Sequence, residues 1–109
     1  MSAYVIYHYK ITDRSRIDEL TDQSIPINEK YGAEVIVGSP VKALEGSTLP
    51  NMVVLKFKDF EAAQKYYSSD EHRELSLLRN KITEGWVSIV PGDSETQQLV
   101  DSGYFECKS

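Results

Sequence analysis

Few side chains in this chain have the type and setting to do chemistry. Its 109 residues include two histidines, His8 and His72, and one cysteine, Cys107. Histidine titrates near neutral pH, so His8, in mid-strand between Ile6 and Lys10, is the candidate catalytic acid or base. Lys56, Trp86 and Ser88, with Val54, fall at alternating positions that share its face. A few polar groups in an apolar, aromatic-lined space are what a small-molecule pocket needs. The competing reading makes His8 a hydrogen-bonded or solvent-facing strand histidine, and Lys56 a rim residue whose stem lies along the sheet. Glu45, before Gly46 in a turn, and Arg79, on the last helix, offer a carboxylate and a guanidinium at a pocket edge, or else a salt bridge between loop and helix. Tyr67 begins a helix break and is a further candidate for contact with a ligand. Tyr4, Tyr7, Tyr9, Tyr31 and Tyr66 read as packing residues whose hydroxyls find partners.

Other chemistries lack a local signature. No H-x-x-x-H, C-x-x-C or E-x-x-H spacing occurs, so no metal site is expected. No G-x-G-x-x-G or P-loop pattern occurs either, and no motif names a cofactor. Cys107 has only Lys108 beside it to activate it, and a reactive thiol is not expected.

These residues must be held by regular elements. Tyr4 to Ile11 is β-branched and aromatic, which favours a strand. Thr12 or Asp13 can cap a helix carrying Ile17, Leu20, Ile27 and Tyr31, stopped by Gly32 and kinked or restarted at Pro26. Val35-Ile36-Val37 is a second strand ended by Gly38-Ser39-Pro40, with Val41 to Leu44 as its continuation after a bend. Met52 to Lys58 is a third, with Val53, Leu55 and Phe57 on one face. Asp59 caps a second helix bearing Phe60, Ala63, Tyr66 and Tyr67, broken at Ser68-Ser69-Asp70. Ser68 and Glu71 fit a capping box for a continuation whose stripe is Leu75, Leu78 and Ile82, ended by Gly85. Trp86 to Val90 is the last strand.

The order is βαββαβ with the second helix broken in two. It predicts an α+β, ferredoxin-like fold: a four-stranded antiparallel sheet with its helices on one face. The helix-facing set is Val53, Leu55, Phe57, Val87 and Ile89. The opposite set, Val54, Trp86 and Val90, is also apolar, where a solvent-facing sheet would be more polar. A second copy of the same sheet is the expected cover, giving a homodimer. Residues 1–92 form this domain, and 93–109 a C-terminal extension: a polar linker, then the short apolar pairs Leu99-Val100 and Tyr104-Phe105.

Composition sets the outer limits. The net charge is −5 and the basic residues are scattered, which argues against nucleic acid or an anionic membrane surface as partner. No run of about 18 apolar residues is present to span a membrane, and the first residues lack the pattern of a signal peptide. With a single cysteine no intrachain disulfide forms, and a cytoplasmic setting is expected.

An ordered set of short motifs resembles the domain of unknown function 1330 family, small dimeric α/β-barrel proteins. The resemblance runs from about Ala3 to Gly92. It is carried by Ala3-Tyr4-Val5-Ile6, Thr12-Asp13, Pro26 with Lys30-Tyr31-Gly32, Leu44-Glu45-Gly46, Pro50, and Val53-Val54-Leu55-Lys56-Phe57. Phe60-Glu61-Ala62-Ala63, Tyr66-Tyr67-Ser68 and Leu78-Arg79 complete it. The resemblance implies a ferredoxin-like fold that dimerises through its sheets into a barrel, and no established reaction. Two positions depart from it: Met52 stands where the family commonly has Arg, and His72 where it commonly has Tyr. The functional expectation is a homodimer that binds a small molecule in a pocket of the barrel, with or without catalysis. The alternatives are a non-catalytic binding or regulatory dimer, and an interaction module that docks through its tail.

Overall fold

A computed structural model describes residues 2–92 and 100–103. The strands are β1 (Ala3–Ile11), β2 (Glu34–Pro40), β3 (Asn51–Phe57) and β4 (Thr83–Pro91), and the helices α1 (Ile17–Tyr31), α2 (Phe60–Ser68) and α3 (Asp70–Ile82). The strands form one antiparallel sheet in the order β2-β3-β1-β4. Residues 93–99 and 104–109, which hold most of the expected C-terminal extension, lie outside the described residues.

Strand alternation decides what is buried. Ala3, Val5 and Tyr7 of β1 and Leu55 and Phe57 of β3 point to one face, where Phe60, Ala63 and Tyr66 of α2 pack on them. Leu75, Leu78 and Ile82 extend the buried set along α3. Each of the larger apolar side chains contributes about 1.5–3 kcal/mol by leaving water. Register places His8 opposite Met52 and Trp86, and Tyr7 opposite Val53 and Val87. His8 and Trp86 therefore share the open face of the sheet, while Tyr7 and Val87 look toward the helices.

Helix α1 is held at its two ends. The Asp13 carboxylate caps a 3-10 turn over Arg14–Arg16, and Thr12 and Asp13 donate backbone hydrogen bonds to the Ile82 carbonyl. At the other end Gly32 takes a left-handed φ of 72°, which glycine adopts without steric cost, and closes the helix on the Asn28 and Glu29 carbonyls. Ile27 and Tyr31 pack against the core, and Glu71 of α3 accepts hydrogen bonds from Lys30 and Tyr31. Between these anchors no residue of α1 is fully buried. The helix passes through Pro26 without ending there, and the proline ring lies on its exposed side.

Several expected boundaries shift. The cap of α3 is Ser69, whose hydroxyl accepts from the His72 amide, while the Ser68 hydroxyl donates to the Gln64 carbonyl within α2. Gly85 does not end a helix. It lies inside β4, where the strand passes so close to β1 that a Cβ would overlap the His8 carbonyl oxygen. Residues 41–50 carry no strand, so Val41 to Leu44 do not continue β2.

Candidate functional site

A cavity of about 360 Å³ lies between α1, the helix-facing side of the sheet and α3. Its α1 wall is Ile17, Leu20, Thr21, Ser24 and Asn28, a single helical stripe facing a void instead of a packed core. Val35, Val53, Leu55 and Val87 form an apolar floor, and Tyr7, Tyr66, Tyr67 and Arg79 complete the lining on the β1, α2 and α3 side. The bulge between Val35 and Val37 in β2 is what turns Val35 to this side, in register with Leu55.

Arg79 is the charged group of the site. Its guanidinium carbon stands 5.2 Å from the Tyr7 ring centroid, a cation–π contact. Among the described residues it forms no ion pair with an acidic side chain, and its Nη1 is buried with no hydrogen-bond partner. A desolvated guanidinium nitrogen without an acceptor is costly, and natural structures satisfy such groups with protein, water or ligand.

Beside it runs a buried hydrogen-bonded chain. The Tyr7 hydroxyl is 2.8 Å from the Tyr66 hydroxyl and 2.7 Å from His72 Nε2. Proton counting fixes the directions. The Ser76 hydroxyl gives its one proton to the His72 carbonyl at 2.9 Å. Toward His72 Nδ1, at 3.3 Å, it can then only accept, so Nδ1 carries the imidazole hydrogen. His72 Nε2 therefore accepts from Tyr7, and Tyr7 accepts from Tyr66. His72 is 1% exposed. Burial, aided by the Arg79 charge and opposed by a hydrogen bond with the Tyr67 backbone, pulls its pKa down to about 4. Burial, reinforced by the neighbouring Tyr66 hydroxyl, raises Tyr7 well above an ordinary phenol, with Arg79 working against the shift. Burial raises Tyr66 and Tyr9 as well. At neutral pH this corner of the cavity thus presents neutral phenols, a neutral imidazole and one cation.

Of the residues singled out from sequence, Tyr67, Arg79 and Trp86 border this cavity. Tyr67 lays its ring 4.5 Å from that of His72 and is half exposed. Trp86 is 61% exposed, on the open sheet face, with its ring edge-on to His8 at 5.8 Å. His8 itself does not line the cavity. Its Nε2 lies 2.7 Å from the Thr48 hydroxyl and 3.2 Å from the Leu49 carbonyl. A carbonyl only accepts, so Nε2 holds the hydrogen and ties β1 to the β2–β3 loop. Lys56 is on the open face opposite Tyr4 and Glu34. Ser88, opposite Ile6 in register, borders a separate cleft of about 410 Å³ with Gln64, Ser68 and Ile89. Glu45 is exposed on the loop and is not paired with Arg79.

Tyr7, Tyr66, His72 and Asn28 were not among the expected site residues. A signal existed for two of them. Asn28 interrupts the apolar stripe of α1, and His72 shares one face of α3 with Leu75, Ser76 and Arg79 at helical spacing. Among the described residues no cluster of metal-ligating side chains occurs.

Fold and cavity together define an α+β protein of the ferredoxin-like class with a ligand-sized space between sheet and helices. The chain belongs to the family described as domain of unknown function (DUF1330), whose model matches residues 2–93. No curated protein matches it. Its fold is similar to that of RPA0582, a protein of unknown function from Rhodopseudomonas palustris, at TM-score 0.67 and 11% identity over 84% of this chain and 82% of that one. HapK from Hahella chejuensis is similar at TM-score 0.57 and 10% identity, covering 83% and 91%. SnoaB from Streptomyces nogalater, a cofactor-independent oxygenase, is similar at TM-score 0.56 and 3% identity, covering 84% and 92%. At these identities the similarity is one of fold alone.

Proposed function

We propose that this protein binds a small organic anion in the cavity between α1 and the sheet, with Arg79 holding the anion's carboxylate. The observation that carries the reading is the Arg79 guanidinium: desolvated on one nitrogen, unpaired by any described acid, and set at the wall of a 360 Å³ space. Its planar fork suits a carboxylate, which accepts two parallel hydrogen bonds. The apolar floor of Val35, Val53, Leu55 and Val87 takes the rest of the ligand. Tyr67, at the border of the cavity, contributes aromatic surface. The pKa shifts favour binding over acid–base chemistry, because His72 and the tyrosines move away from neutrality and not toward it.

We further propose that the protein is a homodimer that pairs its open sheet faces into a barrel. What supports this is the exposure of Trp86, Val90 and Val37 on one surface. His8, Lys56 and Ser88 would then lie between the two sheets.

Calorimetric titration with benzoate tests the binding reading. Wild type is expected to bind, and Arg79→Met to bind at least about tenfold more weakly, the loss of a charge-assisted hydrogen bond. Equal affinity in the two proteins would refute the role given to Arg79.

A further inference from the structure

Among the described residues two buried side-chain polar atoms lack a hydrogen-bond partner, Arg79 Nη1 and Asn28 Oδ1, and both side chains line the same cavity. They are opposites. The arginine nitrogen is a donor without an acceptor, on α3. The asparagine oxygen is an acceptor without a donor, on α1.

The neighbours of Asn28 sharpen this contrast. Thr21 and Ser24 lie on the same stripe of α1 and face the same space. Each hydroxyl has one proton, and each spends it on its own helix: Thr21 on the Ile17 carbonyl at 3.1 Å, Ser24 on the Thr21 carbonyl at 2.7 Å. Their oxygens are left with lone pairs only. Thr21, Ser24 and Asn28 Oδ1 thus give α1 a run of acceptors in the cavity that the Arg79 donor also lines.

We infer that the ligand carries at least one hydroxyl as well as its carboxylate, and that Asn28 selects for that hydroxyl. The ligand class is a hydroxylated carboxylic acid with an apolar, ring-sized body. An ammonium group would also donate, but none of the side chains lining the cavity is acidic, and a second cation there would be unpaired beside Arg79. The inference rests on the anion-binding reading and adds to it a specificity that Arg79 alone cannot supply. A site built around a hydroxyl discriminates strongly against analogues without one, since its own buried acceptor is then left unpaired.

The test compares meta- and para-hydroxybenzoate with the matching fluorobenzoates, which are similar in size but donate nothing, by calorimetric titration of wild type and Asn28→Leu. Wild type should prefer the hydroxy compound at one ring position or both by about tenfold or more. In Asn28→Leu that preference should collapse to within about threefold, with fluorobenzoate affinity kept, since the carboxylate still meets Arg79. Equal binding of hydroxy and fluoro compounds to wild type at both positions would overturn the assignment and leave the anion site standing. So would a preference that survives in Asn28→Leu. If none of the four benzoates binds wild type, the anion site itself fails, and this specificity with it.

Discussion

At the scale of single residues, Arg79 and His72 decide what the cavity can do. An unpaired, partly desolvated cation is a cost to the folded state, so replacing it with an apolar side chain of similar length should not harm the fold. Arg79→Met is expected to unfold at a urea midpoint equal to or above that of wild type, a gain of up to about 1 kcal/mol, while losing benzoate binding. A structural arginine would show the opposite, a clear loss of stability. His72 supplies a pH signature. Its pKa is about 4 in the folded protein against an ordinary 6.5, so the unfolded chain binds the extra proton between those values. Stability linked to His72 is therefore fully present above pH 6.5 and is lost as pH falls toward 4, by an amount on the order of 2–3 kcal/mol. The difference in thermal stability between wild type and His72→Gln should shrink across that window on acidification. A bound anion neutralises part of the Arg79 charge that helps hold His72 neutral, so histidine NMR titration should show the His72 pKa rising when benzoate is added.

At the scale of elements, α1 and β4 show what was legible in the sequence and what was not. The alternation of Val53, Leu55 and Phe57 placed the sheet faces correctly, because a period of two admits one arrangement once one face is buried. The stripe of Ile17, Leu20, Ile27 and Tyr31 marked the inner face of α1. It could not say that half of this face would look into a cavity, since apolar periodicity is the same over a void and over a packed core. The buried chain of Tyr7, Tyr66, His72 and Ser76 was hidden for a different reason. It joins β1, α2 and α3 across more than fifty residues of sequence, and no local spacing encodes such a meeting. Gly85 reads locally as a helix stop, yet its glycine is required by the close passage of β4 over β1. Gly85→Ala should destabilise the protein by about 1–3 kcal/mol in urea denaturation, the usual cost of forcing extra volume into a packed site.

At the scale of the whole molecule, the open sheet face stands apart from the cavity. Trp86 and Val90 of β4 and Val37 of β2 form exposed apolar surface at its two sides, with Tyr4, Ile6, His8, Val54 and Lys56 between them. Among the described residues no helix is long and apolar enough to cross a membrane. If a second copy covers it, Trp86→Glu should turn the dimer into a monomer in sedimentation velocity, since burying an unpaired carboxylate between two sheets is strongly unfavourable. A wild-type protein that sediments as a monomer at every concentration would dispose of the barrel. It would leave the anion site standing, since Arg79 and Asn28 lie on the helix side of the sheet and not on its open face.

The most direct examination of that site is a crystal structure of the protein grown with para-bromobenzoate, in which anomalous scattering from bromine locates the ligand without ambiguity. The carboxylate is expected within hydrogen-bonding distance of the Arg79 guanidinium, and the bromine among the apolar side chains of the cavity. A bromine bound only elsewhere on the molecule, with the cavity holding no ligand, would contradict it.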